Sequence, residues 1–160
     1  MQLLHIHSSF YLDSSKIKKN PTFIIVGSCN GKMEKYLTER YNDCKIYSLE
    51  PHPFNFDQLN RALADKSLFM SREDKNRFDN IDLSNVTCIN KALVCDDSKT
   101  VLLDGKGSCA TTYNAKKGIE VNAINLKDLL KEYNLNKVDC LFYNAEGSEI
   151  WPNICEPKDP

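Results

Sequence analysis

The sequence predicts an α/β fold built on a mostly parallel sheet, and two observations carry that prediction. Short, continuous apolar runs recur along the chain, and segments with helical spacing of apolar residues separate several of them. Continuous apolar runs are typical of strands that are buried on both faces of a sheet. Strands that alternate with helices favour right-handed β-α-β units, and therefore a parallel sheet.

The first β-α unit begins with the apolar run at residues 23–26, which Gly27 bounds. Between Lys32 and Tyr41 the apolar residues fall at intervals of three and four, which predicts a helix with one buried face. Residues 45–49 form a second strand candidate. Pro51 ends that strand, because proline has no N–H to donate to a strand ladder.

A second helix is expected directly after this strand. Pro53 suits its first turn, where the missing N–H costs nothing. Four residues are predicted to form its buried stripe: Phe54, Phe56, Leu59 and Leu63. The polar segment 65–84 is interpreted as a surface insertion, with a helical turn between Ser71 and Phe78.

The remaining elements are expected in the following order. They are a strand at residues 86–90 that continues through 91–94, a hairpin-like excursion to 100–103, an extended segment at 121–124, a helix at 126–133 and a last strand at 138–143. Asn125 is predicted to cap the helix, with Leu126, Leu129 and Leu130 on its buried side.

Composition and targeting signals exclude several classes of protein. The net charge is −1 and no stretch is strongly basic, which argues against a nucleic-acid partner. No apolar stretch approaches the ~20 residues that a membrane-spanning helix needs, and the N-terminus lacks a signal peptide, so a cytoplasmic location is expected. Seven cysteines occur without a C-x-x-C pair, which favours free thiols and predicts no metal site.

Three predicted strand ends should meet at one crevice, because ligands of open α/β sheets bind beyond the carboxyl ends of the strands. The first is the loop Gly27-Ser28-Cys29-Asn30-Gly31, whose glycines allow a tight turn and close approach of a ligand. The second is Glu50, which follows Gly31 by 19 residues, the usual spacing of an acid that binds ribose hydroxyls. The third is the segment from Asn144 to Glu149, with two carboxyl groups and an amide.

Each of these features also has a plain structural interpretation. Glycines often serve only to turn a chain, Glu50 could be a solvated carboxylate before a proline turn, and residues 144–149 would suit a surface turn. A dinucleotide-binding module such as a dehydrogenase is another alternative. The G-x-x-x-G spacing disfavours it, because the dinucleotide fingerprint is G-x-G-x-x-G.

The order of these motifs resembles the FkbM family of S-adenosylmethionine-dependent methyltransferases over roughly residues 21–150. The resemblance is carried by residues 25–31 (IVGSCNG), 46–56 (IYSLEPHPFNF), 90–93 (NKAL) and 138–149 (VDCLFYNAEGSE). The Glu-Pro pair and the final Glu-Gly-x-Glu are the most distinctive parts, and their joint occurrence in order is more specific than either alone.

The resemblance implies a Rossmann-like class I methyltransferase fold and methyl transfer from S-adenosylmethionine to a small-molecule acceptor, often a hydroxyl oxygen of a sugar. It implies that the loop Gly27, Ser28, Cys29, Asn30 and Gly31 holds the methionine portion of the cofactor and that Glu50 holds the ribose. It also implies that Asn90, Lys91 and Ala92 lie near the adenine, and that Asn144, Glu146 and Glu149 face the reacting groups. Glu146 or Glu149 is the expected base for the hydroxyl proton.

Three positions depart from the family pattern and motivate an alternative. Ile25 and Asn144 stand where the family commonly has acidic residues, and Phe142 replaces a lysine. Asparagine cannot act as a base at neutral pH. The alternative is therefore a catalytically inactive, degenerate or truncated methyltransferase-like domain.

The domain organisation is predicted from the same resemblance. We expect an N-terminal extension at residues 1–20, the N-terminal part of a methyltransferase domain at 21–150 and a tail at 151–160, so that the fold is incomplete at its C-terminus. A sheet that stops at this point would leave an uncovered edge. Such an edge invites self-association or a partner.

Overall fold

The computed structural model describes residues 3–7, 10–70, 76–105, 110, 112 and 115–144. In chain order the described elements are β1 (Leu3–His7), β2 (Phe10–Asp13), β3 (Thr22–Val26), α1 (Lys32–Arg40), β4 (Lys45–Leu49), α2 (Pro53–Ala64), β5 (Val86–Ile89), β6 (Ala92–Val94), β7 (Thr100–Leu103), β8 (Ile119–Asn125), α3 (Leu126–Glu132) and β9 (Cys140–Tyr143).

The central sheet has four strands in the order β5-β4-β3-β9, and all of its pairs are parallel. The chain builds outward from β3 through β4 to β5 and then returns to place β9 on the other side of β3. The strand order therefore reverses between β3 and β9, which is where ligands bind in such sheets. The predicted α/β fold with a mostly parallel sheet is confirmed.

Alternate residues of β3 face two separate apolar clusters, which explains its continuous apolar sequence. Phe23 and Ile25 pack under α1 with Met33, Leu37 and Phe142. Ile24 and Val26 pack on the opposite face, and their cluster also contains Leu49, Ile89, Ile124 and Leu129. The predicted helices over 32–41 and after Asn125 are confirmed, and the Asn125 side chain accepts a hydrogen bond from the Asp128 N–H as its cap.

The second sheet, in the order β6-β8-β7, corrects two predictions. The strand expected to run from 86 to 94 is interrupted, so that β5 and β6 belong to different sheets. The Asn90 side chain donates to the carbonyl oxygens of Glu50 and Pro51, at 2.7 and 3.2 Å, and so takes part in the break between the two strands. The hairpin with β6 is also wrong, because β7 pairs antiparallel with the longer β8, which lies between them.

Two predicted buried side chains are exposed. The stripe of α2 consists of Asn55, Leu59 and Ala62, so that Phe54 lies beside it and is 59% exposed. Leu126 is 40% exposed because it occupies the first position of α3, where only Leu129 is buried. The predicted stripes are otherwise supported, because Leu59 and Leu129 are fully buried and Phe56, Leu63 and Leu130 are half-buried.

The segment predicted as a surface insertion is partly packed against α1. The ammonium of Lys35 donates to the carbonyl oxygens of Lys66 and Leu68, at 2.9 and 3.0 Å. Arg77 forms a two-bond pair with Glu39, and Phe78 is fully buried. The predicted helical turn falls partly on residues 71–75, which lie outside the described residues.

The N-terminal extension contains an antiparallel pair, β1 with β2. No helix within the described ranges is long and apolar enough to cross a membrane. The same residues contain no group of three or more His, Cys, Asp or Glu that could hold a metal ion.

Candidate functional site

The glycine loop wraps over the carboxyl end of β4. Gly27 and Gly31 have φ of 82° and 71°, and Cys29 between them has φ of 51°. The N–H groups of Gly27 and Ser28 both donate to the carbonyl oxygen of Leu49, at 2.9 and 3.3 Å. Left-handed backbone favours glycine, so the sequence Gly27 to Gly31 suits the loop that it forms.

Glu50 joins this loop to the turn after β4. Its Oε2 accepts a 2.9 Å hydrogen bond from the Cys29 N–H, and its Oε1 accepts a 3.0 Å bond from the His52 N–H. The amide of Asn55 lies 3.5 Å from Oε1. The carboxyl group is buried, and this burial raises its pKa, while the N–H groups of Cys29 and His52 oppose that shift. Glu50 therefore sets the conformation of both strand ends.

The three residues predicted near the adenine are arranged differently from one another. Asn90 lies beside Glu50 and holds its carbonyl oxygen. Lys91 forms an ion pair with Glu132 at 2.8 Å, and Ala92 is buried in the apolar cluster of the second sheet. Among these three side chains, Asn90 is the one that the structure places against Glu50.

A small cavity of about 130 Å³ opens between the ends of β3 and β9. Its lining residues are Ile25, Val26, Gly27, Ser28, Cys29, Asn30, Lys32, Met33, Phe142 and Asn144. One wall is apolar, with Ile25, Met33 and Phe142. Polar groups and the N-terminus of α1 form the rest, and no carboxylate lines the cavity within the described part of the chain.

Asn144 extends β9 at this cavity, and its N–H donates to the carbonyl oxygen of Val26 at 3.0 Å. Glu146 and Glu149, the predicted bases, lie outside the described residues. Asn144 is thus the one member of the predicted catalytic group that the structure places.

The sequence did not single out Lys32 and Met33 as lining residues or Asn55 as a neighbour of Glu50. Only their positions in the sequence could have indicated these residues. Lys32 and Met33 follow the last glycine of the loop, and Asn55 lies in the first helical turn after Glu50-Pro51. Glu34 was also missed. It is fully buried, and its Oε1 accepts a 2.7 Å hydrogen bond from the hydroxyl of Ser48.

The order of the parallel strands, the glycine loop after β3 and the acid after β4 define a Rossmann-like α/β domain. The model of the methyltransferase FkbM domain matches residues 26–151. The chain belongs to the FkbM methyltransferase domain family, as its motifs predicted. A search of curated proteins found no match.

Proposed function

We propose that the protein transfers a methyl group from S-adenosylmethionine to a hydroxyl oxygen of a sugar or another small molecule. The observation that carries this proposal is the junction of the glycine loop with Glu50, where the Cys29 N–H meets the carboxylate at 2.9 Å. This junction lies at the strand ends beside the reversal of the sheet. Methyltransferases of this family generally use S-adenosylmethionine.

The residues present fit the cofactor in two respects. The cavity of about 130 Å³ is smaller than the ~300–1,000 Å³ of pockets that enclose a whole ligand, so it suits the methionine end alone. Lys32 and the N-terminus of α1 would attract the carboxylate of that end. A carboxylate oxygen can accept two hydrogen bonds, and the structure shows one on Oε2 of Glu50, so a ribose hydroxyl has an acceptor there.

The bound cofactor supplies a methyl group on a sulfonium leaving group, so the protein mainly has to align the acceptor oxygen with it. In this proposal the apolar wall of Ile25, Met33 and Phe142 keeps water from the reacting atoms. Asn144 donates or accepts a hydrogen bond to the acceptor. Glu146 or Glu149 takes the hydroxyl proton.

Isothermal titration calorimetry with S-adenosylmethionine tests cofactor binding. We expect the Glu50→Gln variant to bind about tenfold or more weakly, because the charged acceptor for ribose is lost. Asp57→Asn is the matched control, since Asp57 is an exposed carboxylate on α2, and it should bind as the wild type. A folded wild-type protein that gives no heat at millimolar cofactor would refute the proposal.

Transfer of radioactive methyl groups to a panel of sugars and small alcohols tests the reaction itself. We expect product with the wild type and a large loss in either Glu146→Gln or Glu149→Gln. Cofactor binding without transfer to any hydroxyl compound would instead support the alternative hypothesis of a catalytically inactive domain. That hypothesis is based on the uncharged residues Ile25, Phe142 and Asn144.

A further inference from the structure

Glu34 is a buried carboxyl group that the proposed reaction does not use. It lies in the first turn of α1 and is fully buried between that helix and β4. Its Oε1 accepts the 2.7 Å hydrogen bond from the Ser48 hydroxyl. An apolar residue would fill such a site at lower cost, because burying a carboxyl group requires hydrogen-bond partners.

Two buried polar atoms near this group have no hydrogen-bond partner within the described part of the chain. One is Oε2 of Glu34 and the other is the hydroxyl oxygen of Ser28 in the glycine loop. The two residues are close enough for the Ser28 hydroxyl to lower the pKa of the Glu34 carboxyl. Buried polar atoms in native proteins are nearly always paired, so a small movement of the loop would satisfy both.

We propose that Glu34 is a positioning residue for the glycine loop, holding Ser48 on β4 with one carboxyl oxygen and, after a small movement of the loop, Ser28 with the other, before any ligand binds. This inference rests on the proposed cofactor site. It explains why a carboxyl group stands at the base of the loop, and it gives the loop a third anchor besides the carbonyl of Leu49 and the side chain of Glu50.

The protonation of Glu34 suits this role. Burial raises its pKa, and the nearby carboxylate of Glu50 raises it further. As a carboxylate, its second oxygen can accept a hydrogen bond from the Ser28 hydroxyl, and as a neutral carboxyl it can donate one to Ser28, while the first oxygen accepts from Ser48 in both states. The other titratable groups around it are the thiol of Cys88 and the ammonium of Lys35.

Three variants and one control isolate the contact. Glu34→Leu removes both carboxyl oxygens, Ser28→Ala removes the other end of the contact, and Glu34→Gln keeps one acceptor and one donor. Thr38→Val is the control, because Thr38 is also a buried polar residue of α1 but bonds Asn85, away from the loop. Amide hydrogen exchange of residues 27–31 is measured without cofactor, and the Kd for S-adenosylmethionine is measured by calorimetry.

We expect exchange of the loop amides to be about fivefold faster in Glu34→Leu and Ser28→Ala, the effect of losing one neutral hydrogen bond. Cofactor binding in Glu34→Leu should weaken by a similar factor. Glu34→Gln should restore both to within about twofold, and Thr38→Val should behave as the wild type. Because the Ser28 contact is already lost in Glu34→Leu, the double variant should be no worse than Glu34→Leu by itself.

Loop exchange in Glu34→Leu that equals that of Thr38→Val would overturn the proposal, and so would additive effects in the double variant. If Glu34→Leu does not fold, the Ser28→Ala variant tests the proposal by itself. Loop exchange in Ser28→Ala that equals that of the wild type would also overturn the proposal. A wild type that does not bind S-adenosylmethionine would refute the proposed function alone. The exchange measurements need no cofactor and would still test the role of Glu34.

Discussion

Replacing Glu34 by glutamine is expected to stabilise the protein near neutral pH, and the gain should grow as the pH rises. The folded protein holds this carboxyl group in a fully buried position, and burial raises its pKa above its ordinary value of 4.5. Glutamine can keep the 2.7 Å hydrogen bond from Ser48 without ever ionising. The substitution therefore removes the titration while retaining the shape.

The direction of this pH dependence follows from whether the folded or the unfolded protein loses the Glu34 proton at the lower pH. Above pH 4.5 the unfolded chain has lost the proton of Glu34 while the folded protein still retains it. The wild type therefore loses about 1.4 kcal/mol of stability per pH unit from this group, until the pH reaches the folded-state pKa. Below pH 4.5 both states are protonated, and the two proteins should differ by less than about 1 kcal/mol. Glu50 is present in both proteins, and its repulsion of an ionised Glu34 occurs in the wild type alone, so that this coupling acts in the same direction as the burial of Glu34.

Urea unfolding followed by circular dichroism from pH 4 to 8 measures this difference. Asp57→Asn is the control, because it makes the same change from carboxyl to amide at an exposed position. A free-energy difference between wild type and Glu34→Gln that stays constant across this range would show that the carboxyl group ionises freely in the folded state. That result would refute the reasoning.

Three further substitutions test the backbone and the cap. Gly31→Ala should lower the free energy of unfolding by about 1–2 kcal/mol and weaken cofactor binding. Gly31 has a φ of 71°, and the added Cβ would lie 3.2 Å from Cδ1 of Leu59. An unchanged free energy of unfolding would contradict this prediction. Gly118→Ala should lower the free energy of unfolding by more, about 3 kcal/mol or above, because Gly118 has a φ of 133° and the added Cβ would overlap the carbonyl of Leu103 in β7. Thermal unfolding measures this loss of stability. Asn125→Ala should cost about 1–2 kcal/mol through loss of the α3 cap, whereas Asn122→Ala on the exposed side of β8 should cost less than about 0.5 kcal/mol.

The central sheet could be predicted mainly from β3, which is buried on both faces. The run at 23–26 has no polar residue, a pattern that is typical of a strand buried between two apolar layers. The second sheet could not be predicted in the same way. The pairing of β7 with β8 rather than β6 depends on contacts between distant segments, and the local sequence at residues 92–103 reads equally well as a hairpin.

The part of the candidate site that could be predicted is the part whose residues follow the ends of predicted strands. The glycine loop and Glu50 follow two consecutive buried strands, so their proximity follows from the topology of the sheet. Glu34 and Asn55 were not predictable, because polar residues on amphipathic helices normally face water. Only the packed structure shows that these two side chains point inward, toward Ser48 and Glu50.

The break between β5 and β6 gives the molecule two sheets that share part of their apolar packing. The smaller sheet has its own apolar cluster, but Ile124 of β8 and the half-buried Leu93 of β6 also pack with residues of the parallel sheet. Local unfolding of the smaller sheet would therefore remove apolar contacts from one face of the parallel sheet. It would also disturb the Asn90 amide, which precedes β6 and holds the carbonyl oxygen of Glu50, so that opening of the smaller sheet would reach the residues around the glycine loop both through packing and through this hydrogen bond.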